Sequence, residues 1–335
     1  MKRCCRRHLI IVQALALLLL VNQQVRVSAQ TADPKAVVSK TADAKTPVFR
    51  LIHSRTGKEV TLQQMADDLA ARDVVYFGEL HDNVTGHRVY ANLASELVTR
   101  RPDAVISMEM FEKDVQGVLN DYLRGRVDEA TFLKFSRPWK DYARDYKPLV
   151  ELARDRKLDV LAANLPRPVA SKVASKEGST SPFLPKLTTA PQDQYWELFA
   201  ETMKGHPGME GAVERMYRAQ CAKDDAMAES MAGYITTNPH RHPLVIHCNG
   251  NFHSDYGLGT MYRLTTRLPL LQSANISMIA VADVAKADVT TDMKKAHYLL
   301  IVPAPPKPVE PVKPKAAPGT EKPKTPEAAK SKDKQ

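Results

Sequence analysis

The sequence predicts an α/β protein: a mostly parallel sheet flanked by helices, with a helical insertion over the carboxyl ends of the strands. Three observations predict this fold. Short apolar runs of strand length alternate with longer segments of helical periodicity, the pattern of βαβ units. Four of those runs end abruptly in polar or charged residues, as expected where strands end at a shared ligand site. Finally, roughly fifty helical residues separate two of the runs, more than a crossover connection needs.

The first βαβ unit shows the pattern clearly. Thr61-Leu-Gln-Gln64 matches a capping box and predicts the start of a helix. The run 74–77 is apolar throughout and predicts a buried strand. An amphipathic helix follows and ends before Pro102. Its apolar residues are spaced i, i+4, i+8: Val89, Leu93 and Leu97.

The rest of the domain follows from the same two patterns. Apolar runs predict five more strands, at 104–109, 158–164, 244–247, 276–281 and 298–302. Helical segments are predicted at 111–157, 166–176, 192–204 and 210–237. The helices between the 158–164 and 244–247 strands form the predicted insertion, at about 185–240.

The two ends of the chain differ in composition from the middle. A basic start, an apolar stretch at 9–21 that is short for a membrane span, and small residues up to Ala29 predict a secretory signal, with an uncleaved anchor as the alternative. We therefore predict export to the periplasm or outer envelope. The predicted organisation is a signal peptide at 1–29, a flexible leader at 30–47, a folded domain at 48–302 and a disordered Pro/Lys-rich tail at 303–335.

The net charge of +10 comes mainly from the signal-like segment and the tail. The remaining domain is nearly neutral and lacks the excess of positive charge that is typical of nucleic-acid-binding domains. A basic tail could contact anionic envelope surfaces, so an envelope scaffold is one hypothesis. Cys4 and Cys5 precede the apolar stretch, which excludes them as lipid-attachment cysteines after a cleavage site. We predict that Cys221 and Cys248 are buried free thiols.

Polar residues follow the predicted strands in a repeated arrangement. Gly78-Glu-Leu-His81 and Gly250-Asn-Phe-His253 are two copies of a Gly-x-x-His motif, each directly after an apolar run. A third run ends on a carboxylate. We predict a functional pocket built on Glu79, His81, Glu109 and His253.

Two imidazoles and two carboxylates are compatible with more than one chemistry. Glu79, His81 and His253 could hold a divalent metal ion that activates water. All four predicted residues could instead act as catalytic acids and bases without a metal ion. A structural polar network beneath a ligand site is the third interpretation.

These residues, together with the segments between them, resemble the ChaN-like haem-binding-uptake family of the Tiki superfamily. The resemblance implies an α/β sheet with a helical subdomain in an exported protein that handles haem or iron. Relatives in the superfamily include metal-dependent proteases and erythromycin esterases, so a metal-dependent hydrolase is the alternative function and enzymatic activity stays open. The matching segments are Gly78–Asn83 with His87, Glu109–Phe111 with Gln116, Trp139–Tyr142 to Tyr146–Pro148, Ala162–Arg167, Gln220–Asp225 with Met227–Ala228, and Gly250–His253.

If the ligand is haem, its iron needs a His, Tyr or Met ligand and its propionates need cationic partners. The residues assigned to haem binding are His87, Arg167, Tyr217 and His206. Ordinary core packing is the alternative for the Tyr and Met residues of the insertion. The chain departs from the family pattern where Gly86-His87 replaces paired histidines, and it lacks the lipid-attachment cysteine of many members. Haem or another small ligand, a divalent metal ion and a second copy of the chain are the predicted partners.

Overall fold

The computed structural model describes residues 48–175, 179–204 and 211–305. The strands are β1 (Arg50–His53), β2 (Lys58–Glu59), β3 (Val74–Glu79), β4 (Val105–Glu112), β5 (Val160–Asn164), β6 (Val245–Gly250), β7 (Ser273–Val281) and β8 (Tyr298–Pro303). The helices are α1 (Leu62–Leu69), α2 (Val84–Arg100), α3 (Gln116–Leu123), α4 (Glu129–Ser136), α5 (Tyr142–Asp145), α6 (Lys147–Arg156), α7 (Arg167–Ala174), α8 (Gln194–Met203), α9 (Val213–Thr237) and α10 (Gly259–Arg267). The predicted signal peptide, the leader, His206 and the tail after residue 305 lie outside these ranges.

The eight described strands form one sheet in the order β2-β1-β8-β7-β3-β6-β4-β5. The six strands from β8 to β5 are parallel, and only β1 pairs antiparallel, with β2 and with β8. Every residue of β3 and of β6 is buried, as expected for central strands covered on both faces. The predicted fold class, a mostly parallel α/β sheet flanked by helices, is confirmed.

Local signals place the helices that precede and follow β3. The Thr61 hydroxyl accepts a hydrogen bond from the Gln64 amide at 3.1 Å, and the Gln64 side chain accepts one from the Thr61 amide at 2.9 Å, so the predicted capping box is present. Asn83 caps α2 by accepting from the Gly86 amide at 2.9 Å. The chain therefore turns into α2 within four residues of the end of β3.

Helices cover both faces of the sheet. On one face, Val75 and Phe77 of β3 pack with residues of α1 and α2 such as Leu69 and Leu93. On the other face, Val74 and Tyr76 pack with residues of α9 and α10. Alternate side chains of β3 therefore pack in the apolar clusters on the two faces of the sheet. This is why residues 74–77 are all apolar in the sequence.

The described part of the insertion consists of α8 and α9. The second of these helices spans 25 residues and packs along α7, α10 and β5. Its mid-section carries buried side chains toward the carboxyl end of β6. The thiols of Cys221 in α9 and Cys248 in β6 are buried and free, as predicted.

The free edge of β5 is closed by a side chain rather than by a strand. The Gln116 amide nitrogen donates to the Val160 carbonyl oxygen at 2.8 Å, and its oxygen accepts from the Ala162 amide at 2.8 Å. One glutamine thus satisfies two backbone groups that an edge strand would otherwise leave open.

Three elements were not predicted from the sequence: β1, β2 and α10. The first two are an edge pair of four and two residues, and such short runs carry little periodicity. The third, α10, was missed although Met261, Leu264 and Leu268 follow the i, i+3, i+7 spacing of an amphipathic helix. Its other buried residues include the polar Thr260 and Arg263, which interrupt the apolar pattern.

Candidate functional site

The four residues predicted to form a shared site line one pocket at the carboxyl ends of β3, β4 and β6. Glu79 ends β3, Glu109 lies in the second half of β4, and the segment after β6 carries His253. The pocket has a volume of about 960 Å³. Parallel strands deliver their carboxyl ends to one edge, so residues far apart in the sequence meet there.

Glu79 is the centre of the first half of the site. Its Oε1 atom accepts a hydrogen bond from the Tyr146 hydroxyl at 2.6 Å and lies 2.7 Å from Nδ1 of His81. Its Oε2 atom lies 3.3 Å from Nδ1 of His87. A carboxylate can only accept, so Nδ1 of His81 carries the proton, and Nε2 has no hydrogen-bond partner among the described residues. The His81 side chain is 51% exposed, whereas that of Glu79 is 2% exposed.

Aromatic rings and a glycine fix the position of the His81 imidazole. The Trp139 ring meets it edge-on, with centroids 4.9 Å apart. A Cβ atom at Gly250 would lie 2.9 Å from Cε1 and 3.1 Å from Nε2 of His81. The second Gly-x-x-His motif therefore supplies the space in which the histidine of the first motif lies.

Glu109 and His253 form the second half of the site. Glu109 Oε2 accepts from the Gly250 amide at 2.8 Å, and its Oε1 lies 3.2 Å from Nε2 of His253. On the other side of the ring, Nδ1 of His253 lies 2.6 Å from Oδ1 of Asp224. Both ring nitrogens therefore face carboxylates, and both donate. The side chains of His253 and Glu109 are each only 7% exposed.

Asp224 and its neighbour Asp225 were not predicted as site residues. Asp224 is fully buried and also accepts hydrogen bonds from Thr260 and Tyr195, each at 2.8 Å. Asp225 pairs with Arg263 at 3.2 Å and with Arg267 at 2.8 Å. The sequence did contain a signal for these two residues, because they are adjacent acids in the middle of a helix rich in Ala and Met. Acids on a buried helix face require charged or hydrogen-bonding partners.

Burial and neighbouring charges shift the pKa values of His253, Glu109 and His81. Burial alone would lower the pKa of His253, but Glu109 and Asp224 outweigh it and raise the pKa to about 10. Burial would raise the pKa of Glu109, but the His253 charge holds that pKa well below its usual range. For His81, burial lowers the pKa, yet the hydrogen bond to Glu79 and the nearby carboxylate charges raise it overall. At neutral pH, His253 is therefore an imidazolium between two carboxylates.

The geometry gives no support to the predicted divalent metal site. Glu79 and His81 belong to one hydrogen-bonded group, whereas His253 is held between Glu109 and Asp224. Within the described ranges, no three His, Cys, Asp or Glu side chains form a group that could hold a metal ion. A protonated, doubly bound His253 is also a poor general base, because its ring has no free nitrogen to accept a proton.

The residues assigned to haem binding lie in different environments. Arg167, at the start of α7, lines the pocket. His87 lies beneath Glu79, with its Nε2 atom 3.3 Å from the His81 carbonyl oxygen, so both of its ring nitrogens face acceptors. Tyr217 packs in a buried aromatic cluster and donates its hydroxyl to the Pro191 carbonyl oxygen at 2.6 Å.

The remaining walls of the pocket combine apolar surface with two cations, Arg167 and Lys223, and two further carboxylates, Asp82 and Glu112. Arg167 and Lys223 have no hydrogen-bond or ion-pair partner among the described residues. Lys223 was not predicted as a site residue, because a lysine on a helix is usually solvated. The apolar side chains that line the pocket are Leu165, Phe199, Met203, Met216 and Phe252, with Trp139 beside His81.

Comparison with known proteins places these features in context. A family model described as haem-binding uptake, Tiki superfamily, ChaN, matches residues 65–264. A solved structure of ChaN from Campylobacter jejuni, reported with cofacial haem binding, is 18% identical and covers 76% of this chain and 96% of its own, with a TM-score of 0.58. That likeness establishes the fold. No curated protein matches the chain.

Two further solved structures are more distant. The erythromycin esterase EreC is 14% identical, with a TM-score of 0.42, and covers 65% of this chain and 73% of its own. RRSP, a MARTX toxin effector domain from Vibrio vulnificus, is 18% identical, with a TM-score of 0.37, and covers 65% of this chain and 36% of its own. Neither likeness is close enough to support a function. No helix in the described part of the chain is long and apolar enough to cross a membrane.

Proposed function

We propose that this chain, which belongs to the haem-binding uptake family of ChaN proteins in the Tiki superfamily, binds haem in the pocket at the sheet edge, with His81 as the iron ligand. Haem is the cargo in this proposal, not a cofactor for turnover. The biological role that fits such a protein is haem or iron uptake or trafficking, after export directed by residues 1–29.

The observation that carries the proposal is the environment of His81. Histidines that ligate metals almost always donate their second ring nitrogen to a carboxylate or carbonyl, which fixes the tautomer and raises the basicity of the ligand. His81 has this arrangement, since Nδ1 donates to Glu79 at 2.7 Å and Nε2 is free on a half-exposed ring. The Tyr146 hydroxyl in turn holds Glu79 in position.

Other histidines and tyrosines of the described site are less suited to bind iron. Both ring nitrogens of His253 and of His87 face hydrogen-bond acceptors. The Tyr217 hydroxyl is committed to a backbone carbonyl inside a buried cluster. Binding iron at any of these groups would require breaking buried hydrogen bonds, which His81 does not require.

The chemistry and size of the pocket fit the rest of a haem molecule. A volume of about 960 Å³ lies at the upper end of the roughly 300–1,000 Å³ range of small-molecule sites. Phe199, Met216 and Phe252 offer apolar contacts for the macrocycle. Arg167 and Lys223 offer positive charge for the two propionates. When bound, haem would supply redox-active iron.

A titration of the purified chain with ferric haem tests the proposal. We expect a Soret band that saturates at a defined ratio, with a Kd tighter than about 10 μM, equivalent to about −7 kcal/mol. His81→Ala should shift the band and weaken binding, because the iron loses its protein ligand. Absence of saturable binding by the unaltered chain would refute the proposal.

A matched histidine variant makes the test specific. His240 lies in an exposed loop between α9 and β6. His240→Ala should leave the band position and the affinity unchanged. If His81→Ala and His240→Ala both behave like the unaltered chain while haem still binds, the assignment of His81 as the iron ligand is wrong.

A further inference from the structure

A second pocket lies at the opposite edge of the sheet from the haem site. It is formed where β1 ends at His53 and β8 begins at Tyr298, beside the loop that carries Lys294, Lys295 and His297. Its volume is about 630 Å³. The carboxyl ends of the parallel strands point away from it, and this pocket shares no lining residue with the haem site.

Positive charge dominates the lining of this second pocket. Four cationic side chains contribute to it, against one carboxylate, that of Asp68. That carboxylate is already committed, because it pairs with Arg72 at 3.1 Å and accepts from the Tyr298 hydroxyl at 2.9 Å. The four cations are Arg55, Arg72, Lys294 and Lys295.

The cations differ in how far they are satisfied within the protein. Lys295 pairs with Asp292 at 2.7 Å. Arg55 and Lys294 are exposed and have no ion-pair partner among the residues that the structure describes. Two positive charges at the pocket therefore lack an internal counterion, and an anionic ligand would supply one.

Two buried donors at the same pocket also lack partners. Within the described ranges, neither Ser54 Oγ nor Arg72 Nε makes a hydrogen bond. A buried polar atom without a partner costs free energy, so such atoms call for a ligand or water that completes them. An arginine and a hydroxyl at one pocket are a combination that binds the oxygens of phosphate and carboxylate groups.

The walls add aromatic surface and a constrained backbone. His53 and Tyr298 meet edge-to-face with centroids 5.0 Å apart. Tyr256, which also lines the pocket, has φ of 61°, a left-handed conformation that a bulky residue adopts only where its surroundings fix it. The pocket is also far larger than a single phosphate or carboxylate group.

From these observations we propose that the second pocket binds a small polyanion through Arg55, Arg72 and Lys294. The recognised chemistry is a set of at least two oxyanion groups, either phosphates or carboxylates. The proposal is independent of haem binding, since it uses none of the residues of the haem site.

Isothermal titration of the purified chain with pyrophosphate and with citrate tests the proposal and separates the two oxyanion types. We expect saturable one-to-one binding of at least one probe. The double variant Arg55→Glu/Lys294→Glu should weaken that binding by about 10-fold or more, because it reverses two charges at the pocket. Tighter binding of pyrophosphate indicates phosphate ligands, and tighter binding of citrate indicates carboxylates.

A control double variant with the same charge change is Arg124→Glu/Lys134→Glu, on exposed positions directly after α3 and in α4, neither of which lines the pocket. It should retain the affinity of the unaltered chain within about two-fold, since the change in net charge alone acts weakly at a distance in salt. An equal loss of affinity in both double variants would overturn the proposal. So would the absence of saturable binding of either probe at about 1 mM, which corresponds to a binding free energy of about −4 kcal/mol. A circular dichroism spectrum and a melting temperature like those of the unaltered chain would show that the Arg55→Glu/Lys294→Glu variant is folded.

Discussion

The two Gly-x-x-His motifs are alike in sequence and different in the structure. Each follows a buried parallel strand and each places its histidine at the same edge of the sheet. Yet His81 is half exposed with one free ring nitrogen, whereas His253 is buried with both nitrogens on carboxylates. The surroundings, rather than the motif, decide which histidine can bind a ligand.

The difference has a clear origin in the chain. The ring of His81 meets one carboxylate, that of Glu79, and otherwise packs against Gly250 and Trp139, neither of which offers a charge. The ring of His253 lies between β4 and α9, and each contributes a carboxylate. One motif therefore leaves its histidine accessible, and the other supplies a fixed positive charge that holds the sheet edge to the inserted helix.

Replacing each histidine separately should give the largest difference in stability between the two motifs. His253→Ala leaves Glu109 and Asp224 buried without their shared cation, so we expect a loss of about 3–5 kcal/mol in the free energy of unfolding. His81→Ala removes a half-exposed ring and should cost less than about 1 kcal/mol. Chemical denaturation of both variants measures the difference, and equal losses would contradict the comparison.

The pH dependence of stability should reveal the positive charge of His253. The pKa of His253 is raised from 6.5 to about 10, so its stabilising charge is fully present below pH 6.5 and is lost as the pH rises toward 10. We expect the melting temperature of the unaltered chain to fall over that range. In His253→Gln, which cannot be charged, the fall should be smaller, although the variant is less stable throughout. Parallel slopes in the two proteins would show that His253 is neutral in the folded state.

The two motif glycines should also respond differently to an added methyl group. At Gly78 a Cβ atom would lie 2.6 Å from the Ile276 carbonyl oxygen, a backbone atom that cannot move away, so Gly78→Ala should cost about 1–3 kcal/mol. At Gly250 the Cβ atom would meet the His81 ring, which can move. Gly250→Ala should therefore weaken haem binding by about 10-fold, or about 1.4 kcal/mol, with a smaller loss of stability.

Thermal melts and haem titrations of both alanine variants give the comparison. The opposite pattern, with haem affinity lost in Gly78→Ala and stability lost in Gly250→Ala, would mean that His81 is not held by the second motif.

The smallest effect should come from the carboxylate behind His81. Glu79→Gln keeps the shape but removes a negative charge next to the ring, which makes the imidazole a weaker donor to iron. We expect the reduction potential of bound haem to rise by roughly tens of millivolts while the protein still binds haem. Spectroelectrochemistry measures the shift, and an unchanged potential would indicate an iron ligand other than His81.

The sequence predicted the backbone of this protein better than it predicted the site. Apolar runs and helical spacing located six strands and most helices, because burial on both faces of a parallel sheet leaves a continuous apolar signal. The short edge strands carried no such signal, and the apolar spacing of α10 was missed among its buried polar residues. For the site, position at a strand end identified Glu79, His81, Glu109 and His253 as neighbours, and the structure places all four around one pocket.

The sequence by itself determined the fold class, the sheet edge at which polar residues gather and the two buried free thiols. Only the tertiary structure decided that His81 is accessible while His253 is held between two carboxylates. One of these, Asp224, lies 29 positions from His253 in the sequence and is brought to it by the packing of α9. The tertiary structure also decided that the divalent metal prediction has no support and that Tyr217 is a core residue. Protonation and access depend on neighbours from every packed element, and no local pattern in the chain encodes those contacts.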